Sequence, residues 1–167
     1  MTTLPRIRVF TSADLDGTAD AARGSARLRS NLNVHPGPDD PIQRFLNILQ
    51  PGTYVRPHRH APHRFELFLV LAGRAGVLTF DDDGLVLERV VADRGTVWAV
   101  EIPGGVWHTI IALAPDTMLF EIKAGPFTPI DDKDFAQWAP REGETAAEAT
   151  RRRWEEDLAG PVNDPTR

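Results

Sequence analysis

Residues 55–73 read VRPHRHAPHRFELFLVLAG and carry three of the chain's five histidines, His58, His60 and His63. Neutral imidazole is a ligand for transition-metal ions, so the spacing of these rings decides what they can do. On an extended strand His58 and His60 point to the same side, which is a chelating arrangement, and Glu66 shares their parity. Phe68 and Val70 also share it, so a carboxylate at Glu66 would sit among core residues and would need a cation or strong donors. A fourth candidate is His108 in EIPGGVWHTIIALA, where a proline-glycine turn precedes a strand whose inward set would be His108, Ile110 and Ala112. His63 is the spare: its odd parity and proline neighbour predict a loop position.

These side chains need strands to hold them. From about Arg44 to Lys123 the chain is a succession of short β-rich runs separated by glycine, proline and aspartate, the pattern of an all-β sandwich or barrel. The runs are RFLNILQ, ELFLVLAG, RAGVLTF, LVLERVVA, TVWAVEIP, WHTIIAL and MLFEIKAG, with a tight glycine turn between the second and third and DDDG as a hairpin loop. In ELFLVLA both faces are apolar apart from Glu66, which predicts cover on both sides, and a homodimer is one way to supply it. Upstream, residues 1–30 form a segment that could hold a helix over residues 18–29, broken by Gly24. The barrel is expected over residues 31–126. Residues 127–167 read as an irregular proline- and acid-rich extension with a helix near 145–159. Trp98, Trp107 and Phe120 are expected in the core.

The motifs resemble those of the cupin superfamily. Gly52, His58, His60, Glu66 and Gly73 follow its first motif, with five residues between His60 and Glu66 where four are commoner; Pro103, Gly105 and His108 follow its second, with Ala112 in place of the usual asparagine. The resemblance implies a double-stranded β-helix, a jelly-roll barrel with an irregular N-terminal arm and a C-terminal helix. It also implies one divalent metal ion, Fe, Mn, Ni or Zn, held by His58, His60, Glu66 and His108. NLNVH, DDPIQRFLNILQPGTYVRPHRH, VEIPGGVWHTIIAL and the region ending KDFAQWAP look, over residues 27–142, like the WbuC-type cupin-fold metalloproteins, which are associated with surface-polysaccharide gene clusters.

Substrate-binding candidates are Arg56, whose guanidinium would suit a carboxylate or phosphate, the alternating Asn31, Asn33 and His35, and the pair Glu121 and Lys123, which read either as a surface ion pair or as acid and base groups in the cavity. The expected function is action on a small anionic or sugar-related molecule by a metal-dependent isomerase or oxygenase. The rival reading is a non-catalytic metal-dependent module that binds a small ligand. A metal-free epimerase is disfavoured because Tyr54 is the sole tyrosine. A net charge of -5 argues against a nucleic-acid partner, and the absence of cysteine excludes thiolate zinc sites and cysteine nucleophiles. No run approaches the roughly 20 apolar residues of a membrane span, so a cytoplasmic protein without membrane partners is expected.

Overall fold

The computed structural model of the chain describes residues 7–129 and 134–160. Helix α1 (Ser12–Gly24) precedes strands β1 (Arg29–Asn33), β2 (Ile42–Leu49), β3 (Glu66–Ala72), β4 (Arg74–Phe80), β5 (Val86–Asp93), β6 (Ala99–Ile102), β7 (Trp107–Ala112) and β8 (Thr117–Ala124), and helix α2 (Thr145–Ala159) follows. The strands form two antiparallel sheets, a five-stranded one in the order β1-β2-β8-β3-β6 and a three-stranded one in the order β5-β4-β7. This is the jelly-roll that the resemblance implies.

The alternation along each strand decides what meets in the interior. Across the larger sheet, register aligns Asn31, Asn47, Leu119 and Val70 in one inward row, Phe45, Glu121 and Phe68 in the next, and Lys123, Glu66 and Ile102 in a third. The smaller sheet contributes Val77 and Ile110, paired on β4 and β7, and Val90, paired to Val77 from β5. Phe68, Val70, Val77, Ile102, Ile110 and Leu119 thus form one apolar core, and the polar rows open a chamber at its end.

Each helix closes the back of one sheet. Ala19 and Ala22 of α1 pack on Ile48, which faces outward from β2. Helix α1 begins six residues earlier than the run expected at 18–29, because the Asp14 carboxylate accepts from both the Thr11 amide and the Thr11 hydroxyl at 2.7 Å and starts the helix there. It ends at Gly24. On the smaller sheet, α2 lays Trp154 and Leu158 over Leu78, Phe80 and Ile111. The fit is close enough that a Cβ on Gly76 would come within 2.3 Å of Leu158 Cδ1. Tyr54 stacks on Trp154 with centroids 5.8 Å apart, and its hydroxyl donates to Pro140 O at 2.8 Å.

The outer face of β3 departs from the sequence expectation. Leu67 and Leu69 are half-buried and Leu71 is 41% exposed, since neither helix reaches that end of the larger sheet. Trp98, just before β6, is 63% exposed instead of lying in the core, whereas Trp107 is buried as expected. No described helix is long and apolar enough to cross a membrane.

Candidate metal centre

Main-chain hydrogen bonds bring the two motifs together. His58 and His108 exchange N–H to O bonds at 3.1 and 3.0 Å, forming a bridge between the loop before β3 and strand β7. Two residues on, the Gly105 amide donates to His60 O at 2.9 Å. The turn that makes this approach needs its glycines. Gly105 has φ +85°, and a Cβ on Gly104 would lie 2.3 Å from Ala61 O, so residues 61–64 could not pack where they do. Glu66 arrives separately, as the first residue of β3, in register with Ile102 and Lys123.

The result is a cluster in which one donor atom from each of His58, His60, Glu66 and His108 lies within 4.8 Å of the others. That is near the roughly 4.4 Å spanned by two donors on opposite sides of one ion, each about 2.2 Å from it. The His58 and His108 rings are 4.5 Å apart and those of His58 and His60 5.1 Å. Glu66 is 3% and His108 2% exposed. His63 stands apart in the exposed turn at 61–64.

The hydrogen bonds select the tautomer that a metal requires. His58 Nδ1 lies 3.1 Å from Arg56 O and His108 Nδ1 2.9 Å from Val106 O. A carbonyl oxygen only accepts, so both Nδ1 atoms carry a proton, and a ring with no second proton presents its Nε2 lone pair to the cluster. Yet His108 Nε2 is 3.0 Å from Glu66 Oε2, and two lone-pair atoms at that distance repel unless a proton or a cation lies between them. His60 Nε2 is 2.7 Å from Glu66 Oε1 but at an angle that makes no hydrogen bond, which leaves a buried nitrogen without a partner. Burial, reinforced by the neighbouring His108, pushes His58 down to about 3, so it is neutral at ordinary pH. Burial pushes Glu66 the other way, but His108, His60 and the Lys123 charge outweigh it and hold the carboxyl well below its usual range. A carboxylate and three imidazoles, one of them orphaned, are a donor set that fits a divalent transition-metal ion.

Beside the cluster lies a chamber of about 200 Å³, walled by Phe68, Leu119 and Ile110 and by the polar groups Asn31, Asn47, Glu121 and Lys123. Lys123 Nζ is 3.1 Å from Glu66 Oε1 and 2.9 Å from Glu121 Oε1, while Asn47 Nδ2 donates to Glu121 Oε2 at 2.6 Å. Burial, then the Glu66 charge, pushes Glu121 up to about 8. Burial lowers Lys123, but the two carboxylates more than offset this and its affinity for the proton is raised. Of the two readings of Glu121 and Lys123, the structure places them inside.

The other candidates are divided. Asn31 borders the chamber. Asn33 and His35 lie in the adjoining outer cleft, and the His35 ring is committed to the Arg44 main chain through Nδ1. Arg56 is not in the chamber: its guanidinium donates to Ala136 O at 2.7 Å and lies over the Phe135 ring. Arg59 and Arg64 also turn away, toward Trp107 and Thr128 respectively. The arginines that do reach the wall are Arg27 and Arg29, and Arg29 is bound to Tyr54 O at 3.0 Å and to Glu142 at 2.9 Å. Its signal in the sequence is its period of two with Asn31 and Asn33, which puts all three on one face of β1.

Among known proteins, a family model described as a domain of unknown function (DUF6016) matches residues 10–92. No curated protein matches the chain. Solved structures do. The capsular polysaccharide assembling protein CapF from Staphylococcus aureus aligns at 23% identity and TM-score 0.50 over 67% of this chain, and the match covers 29% of that chain. An RmlC-like cupin protein from Desulfovibrio desulfuricans aligns at 19% identity and TM-score 0.45, over 60% of this chain and 84% of that one. KdgF from Halomonas sp. aligns at 20% identity and TM-score 0.43, over 63% and 82%. The two antiparallel sheets and the C-terminal helix make a jelly-roll barrel, and the CapF alignment agrees with that fold alone.

Proposed function

We propose that this protein holds one divalent transition-metal ion on His58, His60, Glu66 and His108 and acts with it on a small anionic or sugar-related molecule in the adjoining chamber. The observation that carries the reading is the convergence of one donor atom from each of His58, His60, Glu66 and His108 to within 4.8 Å of one another. An ion there would supply Lewis acidity, or a redox centre, to a coordinated ligand oxygen. The chain's own residues do the rest. Lys123 keeps its proton and offers a cation to an anionic group, while Glu121 holds a proton at its carboxyl up to about pH 8 and can give it up or take it back. Leu119, Phe68 and Ile110 exclude water from the apolar side.

This acid and base pair supports catalysis over the non-catalytic binding module, and it supports proton transfer, as in an isomerase, over an oxygenase, which needs no such pair. Glu121, Lys123 and Asn31 are the substrate-facing groups in this reading; Arg56 is not. The likeness to WbuC-type cupins over residues 27–142 supports a carbohydrate-related substrate. A homodimer through the outer face of β3 belongs to the same proposal, supported by exposed Phe65, Leu71 and Trp98, and a monomeric mass at micromolar concentration would remove it.

Elemental analysis of the purified chain tests the metal reading. Wild type should carry about one equivalent of a transition metal, His58→Ala and Glu66→Ala should lose most of it, and His63→Ala should match wild type. Absence of metal from wild type, or equal content in all four proteins, overturns the assignment.

A further inference from the structure

The chamber does not end at Lys123. Asn31, Asn47 and Lys123 also border a second cleft, of about 710 Å³, whose far wall includes Arg8, Asn33, Phe45 and Phe127. The inner chamber alone is smaller than the roughly 300–1,000 Å³ of pockets that bury a drug-sized ligand, and the cleft past Lys123 supplies the room that a larger molecule would need. We infer that the inner chamber and this outer cleft are one continuous binding site for an acidic saccharide of at least two sugar units, with its acid group at Lys123 and its distal sugar on Asn33 and Phe127.

The chemistry of the outer cleft supports that ligand class. Among the described residues that line it there is no aspartate or glutamate; Arg8 attracts an anion there, and Lys123 does so while also holding Glu66 and Glu121 at 3.1 and 2.9 Å. Its side-chain amides suit hydroxyls. Asn31 Nδ2 donates to Asn33 Oδ1 at 2.8 Å, which holds the two amides side by side and leaves the Asn31 carbonyl and the Asn33 NH2 for a ligand. One phenyl ring offers a face to the CH side of a sugar: Phe127 is 56% exposed although its amide is tied to Pro38 O at 2.6 Å, whereas Lys123 Nζ already lies over the Phe45 ring, 4.9 Å from its centroid. An exposed aromatic ring on an anchored backbone is a preorganised stacking surface.

The inference rests on the proposed function for the inner half of the site, but its test has a separate readout. Full-length purified protein, with metal content measured on each sample, is titrated calorimetrically with cellobiouronic acid, cellobiose 1-phosphate, neutral cellobiose, glucuronic acid and glucose 1-phosphate. At least one acidic disaccharide should bind about tenfold or more tighter than both cellobiose and its own acidic monosaccharide; which one it is assigns the acid group as carboxylate or phosphate. Phe127→Ala and Asn33→Ala, both exposed positions, should each weaken that disaccharide about threefold or more and leave the acidic monosaccharide and the metal content within about twofold of wild type. The inference is overturned if neither acidic disaccharide shows this preference, or if the variants weaken monosaccharide and disaccharide alike. Loss of the metal reading with the disaccharide preference intact would refute the proposed metal centre and spare the cleft.

Discussion

His58 and His108 are joined through their main chains as well as through any ion they share, since each donates its amide to the other's carbonyl. Their rings are therefore placed by backbone geometry before a metal arrives, and the site is built in advance instead of being gathered by its ligand.

Such a site should convert metal binding directly into stability. An ion that binds only the folded chain, present at about 100 times its dissociation constant, should add about 2.7 kcal/mol, read as a rise in the thermal midpoint. His108→Ala should remove that rise. A rise of the same size in the variant would mean that the ion binds elsewhere.

Lys123 balances the buried Glu66 charge and also contacts Glu121, so Lys123→Met should be costly in the metal-free protein, about 3 kcal/mol by denaturant unfolding. Saturation with metal should recover part of the loss, because the ion then compensates Glu66. A loss unaffected by metal would show that Lys123 and the cluster are not electrostatically linked.

Glu142 gives a pH dependence well away from the cluster. Burial raises its carboxyl, but hydrogen bonds from Arg27 and Arg29 outweigh this and hold it below the usual 4.5. A lowered carboxyl stabilises the fold above the unfolded value and loses that contribution as pH falls through the folded one. Glu142→Gln should thus cost about 1 kcal/mol at pH 7, a figure reduced for the group's exposure, and the difference from wild type should shrink as pH drops below about 4.5. A difference that is constant with pH would mean that the charge of Glu142 contributes nothing.

The back of the smaller sheet is tested by size. Trp154→Ala should cost about 3–5 kcal/mol by opening a cavity against Phe80 and Tyr54. Gly76→Ala should cost about 1–3 kcal/mol by pressing on Leu158. Wild-type stability in both would show that α2 does not dock where the structure has it.

Much of this was readable from residue types at fixed intervals. His58, His60, Glu66 and His108 were legible from residue types at motif spacing between glycine-bounded turns, although residues 58–60 form no continuous strand, and the all-β runs were legible because alternation is a local signal. Arg56 shows where parity fails. It has the right alternation with His58, yet the chain at 55–58 makes only an isolated bridge and no continuous strand, and Ala136 O and the Phe135 ring, far along the sequence, claim its guanidinium. Arg29 was missed for the converse reason: its place in the chamber wall depends on Glu142 and Tyr54, and no local pattern connects those three. Whether Glu121 and Lys123 face in or out required the pairing of β8 between β2 and β3, a tertiary fact.

The link from Glu142 to Arg29 also makes the chamber mechanically continuous with the tail. Glu142 precedes α2, and α2 is clamped on the far sheet by Trp154 and Leu158, so a pull on that helix is transmitted through one carboxylate to a guanidinium in the chamber wall. Cutting the chain before residue 142 would leave Arg29 a half-buried charge with no counter-ion beside the site. The C-terminal segment acts as a tether under the floor of the cavity, and shortening it is a change to the cavity itself.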